Sequence, residues 1–293
     1  MTTPAQWLEG ARPRTLPAAL APVLVGSGAA AAVEAFRPVR ALLALVVALA
    51  LQVGVNYAND YSDGVRGTDA HRGIGGPGPL RLVGSGVATP AKVKQAAFAC
   101  FALAALAGLV LALLTTLWLV PLGAAMIAAA WGYTGGANPY GYRGFGEVSV
   151  FIFFGLVAVL GTTYVQAERL TWAAFGGGVA CGALACAILV ANNLRDIPTD
   201  VGSGKRTLAV VLGDRRSRLL YPGLVATAFV VALLVAVATP WALLALLAAP
   251  LARGPVGLVR RGVLGRDLVP VLRDTGKLQL AYGALLAVGL SLS

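Results

Sequence analysis

The chain has 293 residues, of which 58% are hydrophobic and 12% charged, with a mean hydropathy of +0.80. Soluble domains carry roughly 25% charged residues, so this composition excludes an ordinary soluble domain and indicates an all-α integral membrane protein. The net charge of +11 would suit a nucleic-acid partner, but the basic residues follow membrane topology instead, and no nucleic acid is expected.

Nine apolar stretches approach the ~20 residues a membrane-crossing helix requires: about 15–34, 40–60, 93–115, 117–135, 146–166, 172–197, 219–238, 240–258 and 275–293. They leave no room for a separate soluble domain, so residues 1–293 read as one transmembrane domain around a central cavity. Ahead of the first stretch, MTTPAQWLEGARPR reads as an amphipathic stub, not a signal peptide, and carries Arg12 and Arg14. The second stretch ends in Asn56-x-x-x-Asp60, with Asp63 and Asp69 close behind, and leads into a Gly-rich basic segment, 61–92, holding Arg72 and Arg81. Thr115-Thr116 joins the third and fourth stretches. The next connection, YTGGANPYGYRGFGE, holds Tyr133, Tyr140, Arg143 and Glu147. The sixth stretch ends in Asn192-x-x-x-Asp196-x-x-x-Asp200 and runs into a second basic segment, 198–218, with Lys205 and Arg206. Thr239-Pro240 joins the seventh and eighth stretches.

A cytoplasmic N-terminus puts Arg37, Arg40 and Arg169 outside and the other 20 of the 23 Lys/Arg inside. That asymmetry is a positive-inside signal; it predicts a multi-pass protein of the cell membrane with its C-terminus outside. Trp118, Trp172 and Trp241 then fall at the outer ends, where an aromatic belt sits. Arg215, Arg216 and Arg218 read as inner anchors. Cys100, Cys181 and Cys186 lie in apolar stretches without a CxxC or Cys/His cluster, so neither disulfide nor zinc is expected. The sole histidine, His71, excludes His-based metal sites and Ser-His-Asp triads.

Five of the eight Asp residues sit in the two acidic motifs, 136 positions apart. Spacings of three and four put such side chains on one helix face. A carboxylate near the centre of a membrane helix costs about 2.5–3.5 kcal/mol, so the cluster implies a wet cavity, a bound cation, or both. The equal placement of the motifs is consistent with a parallel pseudo-repeat whose halves meet at the site. Single acids such as Asp214, Asp267 and Asp274 read as solvated or capping residues, and so does Asp69 by itself. Asn59 and Asn193 suit either interhelical hydrogen bonds or metal ligation. Carboxylates with Asn and no His or Cys are hard oxygen donors that suit Mg²⁺, which fills its remaining positions with water and phosphate oxygens. Lys205, Arg206, Arg72 and Arg81 supply cations for a diphosphate, and apolar helices beyond them suit a lipid tail. The substrate these features fit together is a lipid diphosphate. An ion-coupled transporter also uses intramembrane Asp, but has no need of carboxylates at a rim beside Lys/Arg segments. The DGxxAR-type signature of phosphatidyltransferases is absent.

NDYSD (59–63) followed by DIPTD (196–200) resembles the two Asp-rich motifs of the UbiA superfamily of intramembrane aromatic prenyltransferases, whose members have nine membrane helices. Gly67 stands where the broad first motif, NDxxDxxxD, has its last Asp, and Asp69 follows two positions on. That departure, GPLR (Gly78–Arg81), NNLRD–xxxD–xxGKxTL (192–208) and RPRTLP (12–17) resemble the menaquinone branch. The stretch HRGIGGPGPLR is longer than that branch's usual link, which leaves contacts from 70–77 open. The resemblance implies transfer of a prenyl group from an allylic polyprenyl diphosphate to 1,4-dihydroxy-2-naphthoate, with loss of CO₂ and diphosphate. Other acceptors of the superfamily, 4-hydroxybenzoate or homogentisate, are the alternatives. It implies Mg²⁺ held by Asp60, Asp63, Asp196 and Asp200, with Asn56 and Asn192 as ligands or orienters, and Asp69 among the catalytic acids. Lys205, Arg72, Arg81 and Arg206 would meet the diphosphate. Arg12 or Arg14 would meet the acceptor's carboxylate, and Tyr133, Tyr140, Arg143 and Glu147 would orient its ring or simply pack.

Overall fold

The computed structural model describes residues 2–67 and 80–293. Asp69, His71 and Arg72 lie outside the described residues, as do Gly78 and Pro79. The regular structure among the described residues is helical, with the main helices in chain order α1 (Pro4–Gly10), α2 (Pro17–Ala31), α3 (Pro38–Val65), α4 (Pro90–Leu114), α5 (Leu119–Gly132), α6 (Gly146–Ala167), α7 (Trp172–Gly202), α8 (Leu208–Ala236), α9 (Pro240–Arg260) and α10 (Val269–Ser291). Six of them, α3, α4, α6, α7, α8 and α9, are long and apolar enough to cross a membrane, while α2 and α5 are shorter apolar helices.

Local chemistry explains many of the starts. Pro opens α1, α2, α3, α4 and α9, where its fixed φ fits and its missing N–H costs nothing. Thr3 and Gln6 form a capping box on α1, and Thr171 accepts from Ala174 N at the head of α7. Several ends differ from the sequence expectation. Helix α8 begins at Leu208, not near 219, because Gly213 (φ 75, ψ 169) joins a short leading turn to the main helix; L-residues with a side chain rarely adopt that backbone. Helix α10 begins at Val269, before the expected 275. Helix α3 runs past 60 to Val65, and α7 past 197 to Gly202 through Pro198. Asp63 and Asp200 are therefore on helices, as Asp60 and Asp196 are, and not on the connecting segments.

Helix α7 is the spine: Cys181, Leu184, Ala187, Val190 and Ala191 are buried along it, packed with Tyr221 and Val225 of α8 and Leu278 and Tyr282 of α10. Its small residues admit α6 closely. A Cβ on Gly155 would lie 2.5 Å from Gly182 Cα and 2.6 Å from Gly178 O, the close approach small residues permit between membrane helices. Around Gly155, α6 widens into a π-helical stretch, Phe151–Val157, a distortion often found at functional sites. At the end remote from the acids, Gln166 is fully buried; its Oε1 accepts from Arg37 N (3.3 Å) and its Nε2 donates to Ser27 Oγ (3.1 Å). Arg40 there donates to Val165 O (2.9 Å) and to Oε1 of the exposed Glu168 (2.8 Å). Trp118, Trp172 and Trp241 are exposed. By contrast α5 has no buried residue and forms a thin wall over the space between α3 and α6.

Candidate active site

That space is a cavity of about 390 Å³, lined by α2, α3, α5, α6 and α7. One end is polar: Asn59, Asp63, Arg81, Tyr142, Asn192, Asp196, Asp200 and Lys205 line it. The other end is apolar, with Ala44, Val47, Leu119, Leu122 and Val165 in the wall. Ala44 precedes Asp63 by 19 positions on α3, about 28 Å of helix rise at 1.5 Å per residue, close to the ~30 Å hydrocarbon core of a bilayer.

The polar end is organised around Asp63. Lys205 Nζ donates to its Oδ1 at 2.9 Å, Arg81 Nη1 lies 3.7 Å from its Oδ2, and the Tyr142 hydroxyl donates to Oδ1. Lys205 also sits 4.4 Å from the Tyr142 ring centroid, with the Arg66 guanidinium 5.2 Å from the same ring. Burial alone would lower the pKa of Lys205, but Asp63, Tyr142 and Asp200 outweigh it and hold the ammonium above its ordinary value. Burial, and then Asp63, pushes the Tyr142 phenol up. The second motif faces this group from α7. Arg195 grips Asp196 with two bonds of 2.7 Å and donates to Asn192 Oδ1 at 2.8 Å. Asp200 accepts from Thr207 Oγ1 (3.4 Å), and its carbonyl accepts from Lys205 N (2.9 Å), which bends the chain so that Lys205 enters the cavity.

The geometry corrects several expectations. Asp60 is fully buried and absent from the cavity wall: its Oδ2 accepts from Leu82 N (2.8 Å) and its Oδ1 from Val83 N (2.9 Å). Asn56 lines the cavity, yet its amide donates to Ala11 O (2.8 Å) and Thr15 Oγ1 (3.0 Å), and its oxygen accepts from Gln52 (3.3 Å). Of the first motif's two acids, therefore, only Asp63 faces the cavity; Asn59 lines it beside Asp63, while Gln52 and Asn56 line it and also hold neighbouring chain, as the fully buried Asp60 does. Asn193 makes an interhelical contact, and Asn59 binds the segment that follows α5. Asn59 Oδ1 accepts from Thr134 (2.6 Å), and Asn193 donates to Glu147 Oε1 (2.9 Å).

Arg12 lines the cavity from a left-handed backbone position (φ 55), whereas Arg14, Arg143 and Arg206 are exposed, away from it. Arg206 contributes its backbone N–H to Tyr142 O (3.0 Å). Tyr133 and Tyr140 line the cavity edge-on to each other at 5.5 Å, and the Tyr140 hydroxyl donates to Ala129 O (2.8 Å). Glu147 is buried behind the wall against Asn193. Tyr142, Arg195 and Gln52 were not expected. The NNLRD string made Arg195 visible, but nothing in the sequence singles out Tyr142 from its neighbours.

The donors facing the cavity are oxygens from Asp and Asn, a set that suits a hard cation such as Mg²⁺. Among the described residues, no three His, Cys, Asp or Glu side chains are close enough to form a metal cluster; Lys205 and Arg195 hold Asp63 and Asp196 instead.

Apolar helices around a long chamber with one charged end define a polytopic helical membrane protein. The chain belongs to the UbiA prenyltransferase family, whose model matches residues 19–268. It is 58% identical over 291 residues to 1,4-dihydroxy-2-naphthoate octaprenyltransferase of Mycobacterium tuberculosis, covering 99% of this chain and 98% of that protein. It is 40% identical to the protein of the same name in Escherichia coli, covering 98% and 95%. Among solved structures, an apo UbiA homolog from Aeropyrum pernix K1 superimposes with a TM-score of 0.70 at 16% identity, covering 94% of this chain and 97% of that one. A UbiA homolog from Archaeoglobus fulgidus bound to DMAPP and Mg²⁺ gives 0.66 at 16% identity, covering 97% and 99%. At these identities the structural likeness establishes the fold.

Proposed function

We propose that this chain transfers a polyprenyl group from an allylic polyprenyl diphosphate to 1,4-dihydroxy-2-naphthoate, releasing diphosphate and CO₂ and giving demethylmenaquinol. The observation that carries the reading is one cavity with a cationic and acidic end and a long apolar end, in a chain 58% identical to a protein of that named activity.

The apolar end takes the tail and excludes water, which protects an allylic cation from capture. Lys205 and Arg81 meet the diphosphate oxygens and stabilise the charge that develops there as the C–O bond breaks. Asn59, Asp63, Asn192, Asp196 and Asp200 would hold Mg²⁺, which when bound neutralises further charge on the leaving group. Binding the anion requires Lys205 to exchange Asp63 for phosphate oxygen, and the Tyr142 ring beside it keeps the ammonium in place during the exchange. Arg12 takes the naphthoate's carboxylate, and Tyr133 and Tyr140 face its ring. The acceptor's ring attacks the allylic carbon, and loss of the carboxylate as CO₂ restores aromaticity.

In this reading residues 1–293 form one transmembrane domain of nine spans in the cell membrane, N-terminus cytoplasmic and C-terminus outside. Support comes from the helices at the apolar stretches and the inner-side Lys/Arg excess.

The test is prenyl transfer in membranes with carboxyl-labelled naphthoate. One labelled CO₂ should be released per transfer, with little product from 4-hydroxybenzoate. That acceptor is smaller by a ring, and even single-methylene losses cost about 1–3 kcal/mol in discrimination. A product that retains its label, or equal use of 4-hydroxybenzoate, refutes the naphthoate assignment.

A further inference from the structure

We propose that Asp60 is a positioning residue: its carboxylate docks the returning chain at Leu82–Val83 and so sets Arg81 against Asp63. The proposal rests on the reading that the polar end takes a polyprenyl diphosphate.

Both oxygens of Asp60 are engaged by consecutive backbone N–H groups, Leu82 N at 2.8 Å and Val83 N at 2.9 Å, and the side chain is fully buried. An ionised acceptor makes such bonds about twice as strong as neutral ones, and two adjacent donors fix direction as well as distance. The surroundings complete the dock. Leu82 is fully buried in a cluster with Tyr57 and Ala58. One turn beyond Asp60, Gly64 lets the chain lie flat on α3, since a Cβ there would fall 2.4 Å from Val83 Cγ1. Glu9 Oε1 accepts from Leu80 N at 3.3 Å, and the Thr2 hydroxyl donates to Val87 O at 2.8 Å, so the N-terminal segment closes the other side. With residues 80, 82 and 83 held, Arg81 is carried to the cavity wall with Nη1 3.7 Å from Asp63 Oδ2. Asp60 and Asp63 thus divide the labour of one helical turn. The first binds backbone, and the second faces the substrate space beside the guanidinium that the first has placed.

This differs from metal ligation in what it predicts. Asp60→Ala and Arg81→Gln are each expected to raise KM for the polyprenyl diphosphate about tenfold, the scale of one lost charged hydrogen bond. The double variant should be no worse than Arg81→Gln alone. The Mg²⁺ concentration for half-activation and KM for the naphthoate should stay within about twofold of wild type, whereas Asp63→Asn should shift the Mg²⁺ dependence. Gly64→Ala, which leaves the carboxylate intact but displaces Val83, should reproduce the KM effect, and it carries the test if Asp60→Ala fails to accumulate in membranes. Independently of turnover, a cysteine at position 81 (Arg81→Cys) should react faster with a charged thiol reagent when Asp60→Asn is also present. A shifted Mg²⁺ dependence in Asp60→Ala, additive KM effects with Arg81→Gln, or unchanged labelling would each overturn the proposal. Absence of transfer by the wild-type protein refutes the diphosphate reading instead, and the labelling result still decides the docking.

Discussion

Lys205 Nζ and Asp63 Oδ1, 142 positions apart in the chain, meet at 2.9 Å and close the polar end of the cavity between α3 and the segment after α7. The contact joins one residue of each motif region and marks where a multivalent anion would compete.

Removing either acid that faces this point should be severe. Asp63→Asn and Asp196→Asn are each expected to lower kcat by about 10²–10³-fold or more, the scale for losing one charge-stabilising group in a closed site. Activity of EDTA-washed membranes should return with Mg²⁺. Wild-type turnover by either variant, with normal accumulation in the membrane, removes these residues from the chemistry.

The Lys205–Asp63 pair also gives a pH signature. Burial lowers the pKa of Lys205, but Asp63 and its neighbours raise it further, so the folded value exceeds the ordinary 10.5. A raised folded pKa contributes stability that is fully present below the unfolded value and is lost as pH rises through the folded one. The melting temperature of wild type should therefore exceed that of Lys205→Met by a constant margin from pH 7 to about 9. The margin should shrink above about 10.5. Melting of the detergent-purified proteins across that range measures it, and a margin that grows with pH contradicts the pairing.

Helix approach at Gly155 should tolerate little. A Cβ there meets Gly182 Cα at 2.5 Å, and overpacking of this kind costs about 1–3 kcal/mol. Gly155→Val should lower the melting temperature by a few degrees per kcal/mol and reduce the yield of folded protein. Gly123→Ala, which meets nothing within 4 Å, is the control, and equal melting of the two variants would show that α6 and α7 are not in close contact.

Topology is open to direct labelling. Cysteines introduced in 198–218 should react with impermeant reagents from the cytoplasmic side, and one added after Ser293 from the outside, as the positive-inside distribution requires. Labelling of 198–218 from outside would reverse the orientation and move the site to the other face.

Much of the architecture was written locally. Apolar stretches became helices at the expected places because a bilayer-like environment obliges the backbone to satisfy its own hydrogen bonds, and Pro at first-turn positions marked many of the starts. The grouping of Asp with Asn and the flanking Lys/Arg pointed to residues that the fold brings together: Asp63, Asp196, Asp200, Lys205, Arg81 and Arg12 line one cavity.

What the sequence left undetermined was direction around a helix axis. Asn56-Asp60 and Asn59-Asp63 have the same spacing on α3, and at 3.6 residues per turn the two pairs point about 60° apart. Only the docking of Leu82–Val83 on one side, and of Lys205 and Tyr142 on the other, decides that Asp60 holds chain and Asp63 faces the cavity. The same holds for the cations: Lys205 enters because its backbone bonds to Asp200 O, while its neighbour Arg206 spends its N–H on Tyr142 O and leaves its side chain exposed. Periodicity follows from near neighbours on a single helix, so sequence determines it; orientation toward a partner depends on contacts 22 to 142 residues away, so tertiary packing alone decides it.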